Sequence, residues 1–233
     1  MSGKASLYPH ETLWKNLGEV YRLIEIHTRV AGKKPGFKHN VEVLNKSAIV
    51  LLVACWEAFI EDLAETAFTI LLKRTKRHDF LPPKVLTEVS KRLKESKDDR
   101  EIWKLAGEGW KSVLKEHKNS MLQRYKRNFN TPKHQQIDNL YEVLLGIKRI
   151  SSHWHWQGIR ANSSIRKLQR LVVLRGSIAH RVAASQKVHK GDVIDYVKFI
   201  NRIAVKTSNT VCKVIRKKTG KEPWSLFSYE PSW

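Results

Sequence analysis

The sequence predicts an all-α fold, a helical bundle, and three observations point there. Apolar residues recur at helical spacing along most of the chain. No alternating apolar and polar segment closed by a hairpin turn occurs. The 233 residues are 41% hydrophobic with only 11 Gly and 7 Pro, enough to bury a core in one domain.

Glu11 to Val30 reads as an amphipathic helix, ended by Gly32 and the Lys33-Lys34-Pro35-Gly36 turn. A long apolar helix follows from about Val41 to Arg74. Its longest apolar run, Ala48 to Ile60, is too short to span a bilayer and already carries Glu57. Pro82-Pro83 stops what precedes it and can start a third helix, Lys84 to Ser96, because Pro is tolerated in a first helical turn. Residues 100–130 are more polar, a helical stretch interrupted by Gly107 and Gly109. Ile137 to Ile150 forms another helix, followed by a loop from Ser151 to Ala161. Asn162 and Ser163 offer N-cap oxygens to a helix reaching about Ala184, and Asp192 caps a last one reaching about Lys218. One helical domain over 1–222 is expected, with 82–160 as an insertion between core helices and 223–233 as an aromatic tail.

Charge narrows the partners. Forty-four Lys and Arg face 22 acids, a formal net charge of +22, and the pI is about 10.1. Nucleic acid is the first expected partner, ahead of an anionic membrane surface or a merely soluble basic face. Between Ser163 and Lys218 stand 14 Lys and Arg against two acids, Asp192 and Asp195. Between Val53 and Ile70 the balance reverses, with Glu57, Glu61, Asp62 and Glu65 and no Lys or Arg. Glu57, Glu61 and Glu65 recur every four residues, so the acidic face is expected beside the basic helix.

Cys55 and Cys212 are the only cysteines, too few for a disulfide framework or a cysteine zinc cluster. The polar N-terminus, Met1-Ser2-Gly3-Lys4, shows no apolar signal core, so a cytoplasmic protein is expected, with no membrane partner and no cofactor. No P-loop, dinucleotide fingerprint or G-x-S-x-G elbow occurs.

One segment concentrates chemistry: Leu171-Val172-Val173-Leu174-Arg175-Gly176-Ser177-Ile178-Ala179-His180-Arg181. On a helix of about 100° per residue, Leu168, Leu171, Val172, Ile178, Ala179 and Val182 form an apolar stripe with Arg175 in its middle. A guanidinium stays charged, so it must find a carboxylate, a phosphate or a rim where it can snorkel. His180 lies about 140° around from Arg175, so one regular helix cannot aim both at the same small target. The backbone distorts at Gly176, or a second copy of the helix across a two-fold axis supplies the partner group. A plainer reading stands beside these, in which Arg175 pairs with Glu57 or Glu61 inside the bundle and His180 is an ordinary surface histidine.

Together with the upstream helix Val53-Ala54-Cys55-Trp56-Glu57-Ala58-Phe59-Ile60-Glu61-Asp62-Leu63, this segment resembles the HEPN superfamily, in particular its RiboL-PSP-type branch, whose mark is R-x4-6-H near the C-terminal part of a helical bundle. The resemblance covers those two helices and hardly touches the roughly 100 residues between them. It implies an HEPN-type bundle with extra helices between the core helices, acting as a metal-independent endoribonuclease and a homodimer whose motifs face each other in a cleft. It implies that Arg175 stabilises the scissile phosphate and that His180 is the general base or acid, leaving a 2′,3′-cyclic phosphate and a 5′-hydroxyl. Many members carry a polar residue directly after the motif Arg, whereas this chain has Gly176; Ser177 is the candidate substitute. Glu57 and Arg181 are supporting candidates. By analogy the protein would be a prokaryotic toxin or antiviral defence effector, with RNA as substrate and a cognate antitoxin or defence-system protein as a further partner. The alternatives are a non-catalytic nucleic-acid-binding HEPN module serving a partner enzyme, or a helical interaction scaffold.

Further candidates for nucleic-acid contact are Arg166, Lys167 and Arg170 on the motif helix, and His153 and Trp154 in His153-Trp154-His155-Trp156. The last run lacks carboxylates or thiols for a metal; it is a base-stacking platform or, more commonly for such a loop, packing on the bundle. Lys73 to His78 and Arg124 to Arg127 read as solvated faces with phosphate contact as a secondary role. The tail Trp224 to Trp233 is too aromatic to be simply solvated and is expected to dock on its own or a partner protomer.

Overall fold

The computed structural model of the chain describes residues 8–31, 41–127, 132–181 and 187–229, without the side chains of 125–127 and 180–181. The Lys33-Lys34-Pro35-Gly36 turn, Val182 to Ala184 and the end of the tail therefore lie outside the described residues. The elements run α1 (Pro9–Ala31), α2 (Glu42–Arg74), α3 (Pro83–Lys94), α4 (Gly109–Arg127), α5 (His134–Leu145), α6 (Ala161–Arg181) and α7 (Lys190–Thr219), with short 3-10 turns at His78–Phe80, Asp99–Leu105 and Ile150–His153. No strand occurs among the described residues.

Helix α2 organises the bundle. Its 33 residues make a rod of about 50 Å that packs against α1, α4, α5, α6 and α7. Because neighbours lie on most sides, its apolar residues occur all round: Ile49, Leu52, Trp56, Ile60, Leu63 and Phe68 are all buried. The bilayer expectation is corrected here, since the helix continues far beyond Ile60 and is long and apolar enough to cross a membrane. The same composition serves a core helix, and these side chains are buried within the bundle.

The region expected as an insertion shares that core. Buried Tyr141 of α5 donates its hydroxyl to the Ile60 carbonyl of α2 at 3.0 Å, and residues from α3, α4 and α5 belong to the same buried cluster as those of α1, α2, α6 and α7. Helix α5 stops five residues before the expected Ile150. Gly146 takes φ 73°, and the amides of Gly146 and Ile147 return to Glu142 and Tyr141 at 3.0 and 3.2 Å. At Gly109, a Cβ would lie 2.0 Å from the Lys104 carbonyl oxygen, so only glycine lets the preceding 3-10 turn close against α4.

Two expected caps shift. Helix α6 begins at Ala161, placing Asn162 and Ser163 inside its first turn. Helix α7 begins at Lys190, and Asp192 accepts the His189 amide at 2.9 Å from within the first turn. The tail docks on its own protomer through Tyr229. Cys212 Sγ contacts the Trp224 carbonyl at 3.1 Å, Asn209 holds both backbone groups of Phe227 at 2.8 and 2.9 Å, and the Phe227 ring stacks on His10 at 4.0 Å.

Candidate functional site

Helix α6 is positioned by the stripe its sequence predicts. Leu168, Leu171, Val172 and Ile178 are buried, Leu174 packs against them, and the helix lies along α2. Ala179, expected in that stripe, is exposed instead. Burial of the stripe fixes the rotation of α6 and thereby carries Arg175 to the margin of the packed surface, where its side chain is half-buried.

Arg175 stands beside Glu57 of α2. Burial pushes the half-buried Glu57 carboxyl above its ordinary pKa, and the Arg175 charge pulls it part of the way back. Among the described residues the two form no ion pair, and the buried Nε of Arg175 has no hydrogen-bond partner. Glu57 therefore does not close on this guanidinium as a structural salt bridge, in contrast to the pairing with Glu57 that the plainest reading of the arginine expects. Glu65, two turns further along α2, lines a groove with Pro9 and Thr12 of α1 rather than facing the motif.

Gly176 does not break the helix. α6 runs as one α-helix from Ala161 to Arg181, and nothing lies within 4 Å of where a Gly176 Cβ would be. The distortion considered at Gly176 is thus absent, and the motif positions 175 and 180 keep the roughly 140° separation of a regular helix. Position 180 lies within about 20° of the line of Val173, which is 61% exposed. The side chains of His180 and Arg181 lie outside the described residues. Ser177 donates its hydroxyl to the Leu174 carbonyl at 2.8 Å, bracing its own helix instead of reaching toward Arg175.

The remaining candidates separate. Arg166 is exposed and reaches Ser163 Oγ at 3.4 Å. Lys167 pairs with Asp195 of α7 at 2.5 Å and lies 5.2 Å from the Phe199 ring centre. Arg170 is exposed and lines a cavity between α6 and α7 together with Lys198 and Arg202, two cations the sequence reading missed although their spacing of four residues puts them on one helical face. His153 is exposed, with its pKa lowered by partial burial and then by His155 and Lys213. Trp154 corrects the stacking expectation: it is fully buried, and its indole N–H donates to Thr207 Oγ1 at 2.9 Å. A ring with no exposed face cannot stack on a base. Trp156, two residues on and half-buried, lines the α6–α7 cavity in its place. No group of three or more His, Cys, Asp or Glu among the described residues is placed to hold a metal.

The RiboL-PSP-HEPN family model matches residues 17–213, nearly the whole helical body, including the α3 to α5 region that the two-helix resemblance scarcely touched. The chain belongs to that family. No curated protein and no solved structure matches it. As a RiboL-PSP-HEPN protein it is an all-α module of a nuclease-like or RNA-related kind, built on an HEPN helical bundle with additional helices between α2 and α6. Arg175 and His180, with four residues between them, both lie on α6, inside the matched span.

Proposed function

We propose that this HEPN protein is a metal-independent endoribonuclease whose Arg175 and His180, drawn from two copies of the chain, act on one phosphodiester. Support comes chiefly from Arg175. A guanidinium set at the rim of a bundle, with a buried Nε lacking a partner and a nearby carboxylate that does not close on it, is poised for an anion that arrives from outside. A developing phosphorane charge is such an anion.

The reaction needs one proton removed and one returned. An imidazole at position 180 takes the proton of the 2′-hydroxyl, O2′ attacks phosphorus, and the P–O5′ bond breaks as the leaving oxygen is protonated. Products are a 2′,3′-cyclic phosphate and a 5′-hydroxyl, with no water consumed. Arg175 neutralises charge on the non-bridging oxygens. The regular course of α6 favours a two-fold site, because one helix turns its Arg and His about 140° apart. The small exposed side chains Ala54 and Ala58 flank Glu57 on α2 on the Arg175 side, and exposed Val173 lies on the opposite side of α6 with position 180, so each half of the site faces open surface that a second copy can meet. An RNase of this kind, held in check by a partner protein, fits a growth-arresting toxin or antiviral effector.

The test is incubation of the pure protein with total RNA in chelator, followed by analysis of the ends. Cyclic-phosphate and 5′-hydroxyl ends that vanish with Arg175→Ala and His180→Ala are expected. Cleavage of equal rate in the His180→Ala protein, with wild-type folding, overturns the role given to His180.

A further inference from the structure

Away from Arg175, the N-terminal half of α6 and the middle of α7 enclose a cavity of about 500 Å³. Four cations line it, Lys167, Arg170, Lys198 and Arg202, against one carboxylate, Asp195. Asp195 is already engaged by Lys167 at 2.5 Å, which leaves the other three cations without an ion pair among the described residues.

Aromatic groups are built into the same wall. Trp156 is held by a tight turn in which it exchanges backbone hydrogen bonds with Ile159 at 3.1 and 2.9 Å, while Gly158 takes φ 78°. Tyr229 arrives from the tail that Asn209 pins at Phe227. Between the two rings lies Arg202, its guanidinium carbon 5.3 Å from the Trp156 centroid and 4.3 Å from the Tyr229 centroid. A guanidinium stacked on two rings loses little further freedom when it binds, and its donors stay available for an anion. Ser164, in the same wall and 1% exposed, has a hydroxyl with no hydrogen-bond partner among the described residues.

Cations alone would suit any anion. Cations interleaved with aromatic rings around a cavity of this size suit a phosphate that carries a flat, π-faced group. We propose that the α6–α7 cavity is a nucleotide subsite, holding one phosphorylated nucleoside with its phosphate on Arg170, Lys198 and Arg202 and its base against the Trp156 and Tyr229 side of the pocket. It deepens the endoribonuclease reading when the nucleoside belongs to an RNA strand. Ser164 and Arg175 stand about 16 Å apart along α6 and within about 20° around it, so a strand following the helix passes from this pocket to the motif. A free mononucleotide presents the same chemistry.

The test measures binding by calorimetry in a His180→Ala background, so that cleavage plays no part. Ligands are adenosine monophosphate, a short 2′-O-methyl RNA, inorganic phosphate and a glutamate peptide charge-matched to the RNA. The Arg170→Gln/Lys198→Gln protein is expected to lose affinity for a nucleotide ligand on the order of tenfold relative to a Lys115→Gln/Lys217→Gln control of equal charge. Trp156→Leu should weaken the nucleotide ligand and leave inorganic phosphate unchanged. Loss seen with adenosine monophosphate assigns the pocket to a free nucleotide; loss confined to the RNA assigns it to a strand residue. Absent binding, losses equal to the control, or phosphate or the glutamate peptide binding as tightly as the nucleotide ligands overturns the proposal. A protein that fails to cleave RNA yet passes these tests loses the endoribonuclease reading and keeps the nucleotide subsite.

Discussion

Across the α2–α6 contact the Arg175 charge pulls the Glu57 carboxyl down, yet among the described residues the two form no ion pair. Burial outweighs the arginine, so the folded protein holds the Glu57 proton more tightly than the unfolded chain does. This contribution to stability is present below the unfolded carboxyl pKa and is lost as pH rises through the raised folded value. Glu57→Gln should therefore melt higher than wild type at pH 7, and the gap should close below about pH 4. Thermal melts of both proteins across that range check it; a lower melting point for the variant at pH 7 would show that Glu57 earns its place as a carboxylate.

The two-copy site predicts complementation. Arg175→Ala and His180→Ala proteins, each inactive alone, should recover cleavage when mixed and allowed to exchange protomers. Half the dimers are then mixed, each with one intact site, so about a quarter of wild-type activity is expected. No recovery, with exchange demonstrated by a size tag, would place both groups of each site on one protomer.

His10 links pH to the tail. Burial lowers its pKa to about 4, and its ring is stacked on Phe227 and edge-on to Trp14 and Phe59, with neither nitrogen hydrogen-bonded among the described residues. Below the ordinary histidine pKa the unfolded chain binds a proton that the folded protein refuses, so stability falls as pH drops from about 6.5 toward 4, by up to about 3 kcal/mol. Buried His27 is shifted in the same direction. His10→Phe should flatten the slope across this window, as read from denaturant midpoints at each pH.

Trp154 should matter for stability and not for RNA. Trp154→Phe removes one of the two fused rings from a fully buried site together with the N–H bond to Thr207, at an expected cost of about 2–4 kcal/mol. RNA affinity, measured below the melting range, should stay at the wild-type value.

The motif helix was legible because its signals are local. Leu168, Leu171, Val172 and Ile178 announce a buried stripe by their spacing, and α6 obeys it. Caps are less legible: Ser163 and Asp192 both fall inside first turns, where Asp192 reaches back to the His189 amide while Ser163 meets only the Arg166 side chain. Trp154 and Trp156 show why the aromatic loop could not be resolved. They are two residues apart, Trp154 closing the 3-10 turn Ile150–His153 and Trp156 opening the turn to Ile159, and the partner that receives the buried indole, Thr207, comes from α7, far along the chain.

The sequence by itself determined the helical class, the long apolar α2, the basic character of α6 and α7, and the R-x4-H spacing, because helical periodicity and charge are written residue by residue. Tertiary structure alone decided that the buried Nε of Arg175 has no partner among the described residues, that Trp154 is core while Trp156 lines a cavity, and that Arg202 lies between Trp156 and a tyrosine of the tail. Those relations join residues far apart along the chain. They exist only once burial of the apolar stripes has fixed how each helix is rotated against its neighbours.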